Sequence, residues 1–172
     1  MNKILENTIY IKHFDSSCGT LILGSYDGTL CLCDWADGRR RASVDQRLQR
    51  MLNAEYVEGT SEMIEMALQQ LNEYFIHQRR EFDIPLLFVG TDFQKKVWNE
   101  LLKIPYGKTI SYGELAKRIG MPNAVRAVAN ANAVNAISII APCHRVIGSD
   151  GTLTGYGGGL ERKRFLLKLE TQ

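Results

Sequence analysis

The sequence has no long apolar run, and its 172 residues include only four prolines, four cysteines and three histidines. No apolar stretch approaches the roughly 20 residues that a membrane-spanning helix needs. Residues 1–6 lack the apolar segment and the small-residue cleavage site that are typical of a secretory signal. We therefore expect a cytoplasmic protein without a membrane partner. Its length is sufficient for one large domain or two small ones.

The few cysteines do not have the paired spacing of a disulfide framework, and reduced thiols are expected in a cytoplasmic chain. Cys31 and Cys33 lie in a strand-like run, where we interpret them as packing residues because C-x-C alone lacks the usual spacing of zinc ligands. His13 and Cys18 nearby leave a metal site open as an alternative. Our prediction is that the protein holds no metal and no cofactor.

Charge of one sign is also lacking, since the formal net charge is only +2, but the charges are unevenly distributed. Residues 1–88 contain nine Lys/Arg and thirteen Asp/Glu, a net charge of −4, whereas residues 89–172 contain twelve and six, a net charge of +6. This asymmetry indicates that the C-terminal half meets a polyanion, although an ordinary solvated surface would also fit. We predict an N-terminal structural domain over residues 1–85 and a functional domain over residues 86–172.

The N-terminal half has the composition of a β-meander followed by helices. Its β-branched and aromatic residues are concentrated in three predicted strands, residues 8–14, 20–25 and 29–34, with turn sequences between them. The basic run at residues 39–41 is interpreted as a solvated loop, and a short helix is predicted over residues 44–53. A longer helix, capped at Thr60 or Ser61 and ending near residue 77, carries apolar residues at helical spacing.

The C-terminal half reads instead as short helices with recognisable starts. Thr91 with Gln94, and Ser111 with Glu114, have the spacing of a capping box. The second helix ends at a break over residues 120–122, after which Asn123 is predicted to cap another helix that runs to about residue 134. Two short helices joined by such a turn predict a helix-turn-helix. A closing helix is predicted over residues 160–169.

The predicted recognition helix is rich in alanine, and Arg126 is its one long charged side chain. Tight helix packing would explain this composition. Close approach to a partner, with one arginine reaching past the helix, would explain it equally. Further along, five glycines in residues 151–159 predict a loop with special backbone dihedrals or one that lies against a ligand.

The segment with the clearest chemistry contains a cysteine next to a histidine. Residues 137–140 are apolar and β-branched, which predicts a buried strand that ends at Pro142 and delivers Cys143 at its mouth. His144 and Arg145 would then favour a thiolate over a thiol. Since neighbours on an extended chain point to opposite sides, a direct Cys-His contact requires a turn at the cysteine, or a water must connect the two side chains.

Several motifs together resemble the O6-alkylguanine-DNA alkyltransferases, in their bacterial stand-alone form, over about residues 90–170. They are Pro142-Cys143-His144-Arg145-Val146, Gly155-Tyr156-Gly157-Gly158, and Leu166-Leu167 with Glu170. The resemblance implies an α+β fold with an RNase H-like N-terminal domain of β-meander and helix, and a mostly helical C-terminal domain with a winged helix-turn-helix. The chain departs from the family pattern at Ala129 and Ala136, where glycine and proline are usual.

The resemblance also implies roles for individual residues. Cys143 would accept the alkyl group, His144 would activate it through a water, and Glu170 would orient the histidine. Asn135 would be the hinge of this catalytic segment, and Arg126 would fill the gap left by a flipped nucleotide. The other residues expected to contact DNA or the base are Tyr112, which helps to rotate the nucleotide, and Ala127, Ala133, Arg145, Val146, Tyr156, Gly157 and Lys163.

The function implied is direct reversal of DNA damage by a monomer that binds alkylated double-stranded DNA through the minor groove. An alkyl group on O6 of guanine, or on O4 of thymine, would pass irreversibly to Cys143. Two alternatives are a damage sensor that binds without transfer and a Cys-His-Glu hydrolase. The cysteine argues against the sensor, and the hydrolase leaves the alanine-rich helix and Arg126 unexplained.

Overall fold

A four-stranded sheet forms the N-terminal half of the protein, for which a computed structural model describes residues 7–172. The strands are β1 Thr8–Ser16, β2 Gly19–Tyr26, β3 Thr29–Trp35 and β4 Glu55–Glu58, in the order β3-β2-β1-β4. The antiparallel meander of the first three confirms the prediction, whereas β4, which runs parallel to β1, was not predicted because it is short and polar. Residues 1–6, where no secretory signal is expected, lie outside the described residues.

Two helices cover the N-terminal half, α1 Arg41–Leu52 and α2 Glu62–Phe75. Ser61 caps α2 by accepting a hydrogen bond from the backbone N–H of Ile64, as expected of a serine at this position. The interpretation of residues 39–41 as a solvated loop is wrong for Arg41, which begins α1. Its guanidinium pairs with Asp45 one turn later, an i,i+4 contact that stabilises the first turn of the helix.

The C-terminal half is mostly helical. Its elements are α3 Asp92–Leu101, β5 Ile110–Ser111, α4 Tyr112–Arg118, α5 Val125–Ala133, a 3-10 turn at Cys143–Arg145, β6 Val146–Ile147 and α6 Leu160–Leu169. β5 and β6 pair in parallel. The protein is thus of mixed α+β architecture. Within residues 7–172 no helix combines the length and the apolar character required to cross a bilayer.

The predicted helix caps differ in their outcome. Thr91 and Gln94 form both bonds of a capping box at the start of α3. Ser111 accepts from the backbone N–H of Glu114, but the carboxylate of Glu114 pairs with Arg118 instead of completing the box. The prediction that Asn123 caps α5 is wrong, because the helix begins one residue later than expected and no side chain caps it.

The predicted strand over residues 137–140 does not form, and the chain turns there. Ile137 makes one isolated bridge to Cys33, after which the backbone N–H of Ala141 donates back to the carbonyl of Ile137. The side-chain amide of Asn135 donates to the carbonyls of Ile137 and Ala141, so it replaces a neighbouring strand as their partner. A short apolar run does not distinguish a buried turn from a buried strand, which explains the error.

β3 is the element at which the two halves meet. Leu30 hydrogen-bonds through its backbone to Pro85 and Leu87, and Cys33 bonds to Ala136 and Ser138. Apolar side chains from both halves belong to a single buried cluster. The C-terminal half therefore packs on an edge of the N-terminal sheet, and the division between residues 85 and 86 stays a prediction.

Candidate active site

Cys143 is the first residue of the 3-10 turn and is almost completely buried, with 3% of its surface exposed. Its backbone N–H donates to the carbonyl of Ala141, and its carbonyl accepts from the side-chain amide of Asn132. Burial raises the pKa of the thiol to about 11, although a hydrogen bond with Asn135 acts in the opposite direction. The resting side chain is therefore a thiol and not a thiolate.

Glu170 is the centre of a buried polar cluster that includes His144, the residue after Cys143. Its Oε2 atom lies 2.7 Å from Nε2 of His144 and accepts a hydrogen bond of 2.6 Å from the hydroxyl of Tyr74. Arg145 donates to both carboxylate oxygens, at 2.8 Å and 3.0 Å. Burial alone would raise the pKa of Glu170, but the hydrogen bonds from His144 and Arg145 outweigh it and hold the pKa well below its ordinary value.

The hydrogen bond to Glu170 fixes the tautomer of His144. An ionised carboxylate only accepts, so Nε2 carries the hydrogen and Nδ1 carries the lone pair. Burial lowers the pKa of His144, which keeps the ring neutral at rest. Nδ1 is buried and has no hydrogen-bond partner among residues 7–172. It is therefore the ring atom that can receive a proton.

The expectation that Arg145 favours a Cys143 thiolate and contacts DNA does not fit its position. The guanidinium is turned inward, where it binds Glu170 and donates to the carbonyl of Ile104 at 2.7 Å. Its charge is thus neutralised by the carboxylate. The side chain of Val146, also expected to contact the base, is completely buried, and its carbonyl accepts a hydrogen bond from Lys163.

Lys163 ties the glycine-rich loop to the strand that follows the cysteine. Its ammonium group donates to the carbonyls of Val146 and Thr154, at 2.5 Å and 2.7 Å, and lies 3.5 Å from the hydroxyl of Tyr112. That hydroxyl donates to Thr154 as well. Burial lowers the pKa of Lys163 to about 8, while the nearby Cys143 opposes this. The structure thus brings Lys163 and Tyr112 together beside the thiol.

Tyr156 and Gly157 lie over the cysteine from the other side. The Tyr156 hydroxyl accepts a hydrogen bond from Nε1 of Trp35 at 3.0 Å. A Cβ atom at residue 157 would lie 3.0 Å from the carbonyl oxygen of Ala133, so glycine suits this close approach. The cavity that these residues line with Cys143 has a volume of about 10 Å³, which is room for about one water.

The outer face of α5 carries small side chains and one arginine. Arg126 and Ala127 are exposed, and no hydrogen bond or ion pair of the Arg126 side chain is found among the residues that the structure describes. Val128 and Ala131 face the core, where the carbonyl of Ala131 accepts a hydrogen bond from Trp98. Packing explains the small residues of the inner face, whereas the outer face is free to approach a partner.

The remaining cysteines include one that is close to the site, since the backbone of Cys33 binds Ala136 and Ser138 in the segment that leads to Cys143. All four cysteines carry free thiols, and Cys31 and Cys33 are buried in β3 as packing residues. Burial raises the pKa of Cys31 to about 12. Across residues 7–172 no group of three His, Cys, Asp or Glu side chains is placed to hold a metal ion.

Two residues of the site escape prediction from the sequence. Tyr74 binds Glu170 across 96 residues of chain, and Asn132 binds the carbonyl of Cys143. The sequence does hold a signal for Tyr74, because it follows Ala67 and Leu71 at helical spacing, which predicts that its side chain faces the core. In the structure Tyr74 is buried, whereas Phe75, in the predicted stripe, is only half-buried. No local signal distinguishes Asn132 from other asparagines.

Comparison with known proteins agrees with this geometry. Residues 92–172 match the family model described as 6-O-methylguanine DNA methyltransferase, DNA binding domain. A methylated-DNA–protein-cysteine methyltransferase of Methanosarcina acetivorans is 44% identical over 162 residues, covering 94% of this chain and 98% of that protein. The enzyme of the same name from Mycobacterium tuberculosis is 62% identical over 104 residues, which cover 60% of this chain and 63% of the relative, less than two thirds of its length.

The fold is also shared with solved structures. A crystal structure of Mycobacterium tuberculosis OGT in complex with DNA superposes with a TM-score of 0.82 at 44% identity, covering 94% of this chain and 92% of that one. The O6-methylguanine-DNA methyltransferase of the archaeon Pyrococcus kodakaraensis superposes with a TM-score of 0.68 at 26% identity. Because similarity extends over nearly the full length of both chains, in sequence and in fold, this chain belongs to the methylated-DNA–protein-cysteine methyltransferases.

Proposed function

We propose that this protein repairs DNA by transferring the alkyl group from O6 of an alkylated guanine to Sγ of Cys143. The observation that carries the proposal is the buried hydrogen bond between Glu170 and His144, the residue directly after the cysteine, with Nδ1 of the histidine unengaged. A carboxylate that holds a neutral imidazole in one tautomer makes that imidazole a base. The base is needed here because burial keeps the resting thiol protonated.

Transfer begins with loss of the thiol proton to Nδ1 of His144 through one water. The imidazolium that forms is stabilised by Glu170, whose negative charge is already in place. The sulfur then attacks the alkyl carbon, so that an S–C bond forms while the C–O6 bond breaks and its electron pair stays on the guanine. Lys163 lowers the pKa of the thiol by its charge, which assists the first step.

The departing guanine needs a proton, and two donors lie beside the thiol. The Tyr112 hydroxyl and the Lys163 ammonium group are 3.5 Å apart. Either group can supply the proton to the guanine. The proton that His144 took from Cys143 then replaces the one that the donor has lost. The product is a thioether, which water does not hydrolyse, so each molecule acts once.

The DNA partner is a duplex approached through its minor groove by a monomer. α4 and α5 serve as a winged helix-turn-helix, and the small outer face of α5 suits a narrow groove. The alkylated nucleotide leaves the stack, and Arg126 occupies the space that it vacates. Residues 86–172 carry this activity in the cytoplasm, with residues 1–85 as an RNase H-like supporting domain. O4-alkylthymine is a second substrate.

Entry of a base requires the glycine-rich loop to open. The cavity beside Cys143 holds about one water, so a guanine does not fit while the loop lies on the thiol. Hydrogen bonds hold the loop in place at several points, among them Trp35 with Tyr156, Lys163 and Tyr112 with Thr154, and the backbone of Arg39 with the carbonyl of Gly157. Closure over the flipped base would then exclude water from the reacting atoms.

Intact-protein mass spectrometry after mixing with a duplex that carries one O6-methylguanine tests the proposal. We expect the mass of one methylene to be gained, mapped to the peptide that contains Cys143, with one protein consumed per lesion. An unmodified duplex is the control. Tight binding without a mass change would indicate a damage sensor, and turnover of an ester or amide without a stable adduct would indicate a hydrolase.

Arg126→Ala is expected to slow repair of duplex DNA much more than reaction with free O6-benzylguanine. Only the duplex requires a nucleotide to leave the stack, at a cost of about a few kcal/mol that the inserted arginine partly offsets. The rate of alkylation is measured with both substrates. Arg50→Ala removes an exposed arginine from α1 and serves as the matched control. Equal slowing with both substrates would contradict the role of Arg126 in flipping.

A further inference from the structure

The end of β3 is hydrogen-bonded to the segment that leads to the acceptor cysteine. The backbone N–H of Cys33 donates to the carbonyl of Ala136 at 2.9 Å, and the backbone N–H of Ser138 donates to the carbonyl of Cys33 at 2.6 Å. The next residue of the strand adds a side-chain contact, since the Ser138 hydroxyl donates to Oδ1 of Asp34 at 3.1 Å. Ser138 is thus held by both its backbone and its side chain.

The residue after Ser138 has a strained backbone. Ile139 has φ of 71°, in the left-handed region that a β-branched residue rarely adopts. Strain of this kind persists only where surrounding contacts determine the conformation. The contacts immediately before Ile139 are those of Ser138 with β3, and Cys143 follows four residues later. The hydrogen bonds of Ser138 with β3 therefore maintain the turn that presents the thiol.

Asp34 belongs to a buried network of ion pairs and hydrogen bonds that does not take part directly in the proposed chemistry. Its Oδ2 atom lies 3.2 Å from the guanidinium of Arg41, which also pairs with Asp45. Burial raises the pKa of Asp34, while Arg41 acts in the opposite direction. The negative charge also raises the pKa of Cys143, so it does not activate the nucleophile. Asp34 therefore contributes to the site through the position of its carboxylate and not through its charge.

The same end of β3 reaches the glycine-rich loop. Trp35, the residue after Asp34, donates to the hydroxyl of Tyr156, and Tyr156 and Ser138 both line the cavity beside Cys143. One connected set of side chains thus joins the strand to the segment of the thiol and to the loop that covers it. A shift of the end of β3 would therefore disturb both the segment and the loop.

We propose that Asp34 is a positioning residue for alkyl transfer, which acts by holding Ser138 and through it the strained turn before Cys143. This inference rests on the proposed function, because the step that it assists is the attack by the thiol. It assigns to the N-terminal sheet a specific part in the reaction, carried by one carboxylate and one hydroxyl.

Substitution of Asp34 separates its geometry from its charge. Asp34→Ala removes the acceptor of the Ser138 hydroxyl, and transfer to free O6-benzylguanine should slow by about 10- to 100-fold, as displacement of a reacting group does. Asp34→Asn keeps an oxygen at the same place and should restore the rate. Ser138→Ala removes the hydroxyl alone and should slow transfer in the same way, with no further loss when it is combined with Asp34→Ala.

The pH dependence of the rate gives a readout that a purely structural role would not move. Asp34→Asn removes a negative charge that raises the pKa of Cys143. Its pH–rate profile should therefore shift to lower pH while the maximal rate is kept. Asp45→Asn is the matched control, because it alters the partner of Arg41 without touching Ser138, and it should leave both the rate and the profile unchanged.

Hydrogen–deuterium exchange of the peptide containing Ala141 and Cys143 reports the position of the turn without any transfer. Asp34→Ala should increase exchange of these amides, and Asp34→Asn and Asp45→Asn should not. An unchanged rate in Asp34→Ala, or equal slowing by Asp45→Asn, would overturn the positioning role. Absence of transfer by the unmodified protein would instead refute the proposed function. The exchange data would still test whether Asp34 holds Ser138 and the turn in place.

Discussion

Cys143→Ala is expected to abolish alkyl transfer completely while binding to a duplex with O6-methylguanine is retained. The sulfur is the atom that forms the new bond, and no other cysteine follows the 137–142 turn: Cys31 and Cys33 are completely buried in β3, and Cys18 lies at the turn between β1 and β2. Binding should survive because the outer face of α5 and Arg126 are untouched. Mass spectrometry measures transfer, and fluorescence anisotropy with a labelled duplex measures binding.

Two further variants make this result specific. Cys31→Ala removes an equally buried thiol from β3 and should transfer normally. Cys143→Ser keeps the shape of the side chain but replaces the thiol by a much weaker nucleophile, so it should bind and fail to transfer. Transfer that persists in Cys143→Ala, or a methyl group that maps to another cysteine in the unmodified protein, would contradict the assignment of the acceptor.

The elements that could be predicted from the sequence are those with strong local signals. The strands of the meander are separated by turn sequences, and the turn between β2 and β3 uses Asp27 and Gly28 with φ of 47° and 76°, as an Asp-Gly hairpin does. The capping box of α3 was identified for the same reason, since both of its bonds join residues three apart. Where the interacting residues are close together in the chain, the local sequence pattern is enough to predict the element.

The features that could not be predicted depend on distant partners. The segment 137–140 has the composition of a strand, but Asn135 and the end of β3 hold it in a turn. Sequence adjacency likewise suggested that Arg145 acts on Cys143, whereas its guanidinium binds Glu170, 25 residues later. His144 also binds Glu170, through Nε2, and only its Nδ1 atom remains available to act on the thiol. Neither the direction of a side chain nor the burial that raises the pKa of the thiol can be seen in neighbouring residues.

Glu170→Gln is expected to reduce both the stability of the protein and its rate of transfer. The substitution leaves the buried guanidinium of Arg145 without an anionic partner, and breaking a buried ion pair from one side costs about 3–5 kcal/mol. It also removes the charge that stabilises the His144 imidazolium, and loss of general base catalysis slows a reaction by about 10²- to 10⁴-fold. Thermal unfolding and single-turnover kinetics measure the two effects.

The stability effect has a defined dependence on pH. The pKa of Glu170 is held below its ordinary value in the folded protein. The carboxylate therefore stabilises the fold fully above the pKa of about 4.3 that a glutamate has in an unfolded chain, and this contribution is lost as the pH falls toward the folded value. The difference in stability between the unmodified protein and Glu170→Gln should be constant near neutral pH and should narrow below that pKa.

Glu114→Gln provides the matched control, because its carboxylate pairs with Arg118 on the exposed surface of α4. It should change stability by less than about 1 kcal/mol and leave transfer unchanged. Kinetics are compared at a temperature at which both variants are folded, so that lost activity does not reflect unfolding. If Glu170→Gln were destabilised but transferred at the normal rate, Glu170 would serve only to neutralise Arg145, and the base that accepts the proton of Cys143 would have to act without it.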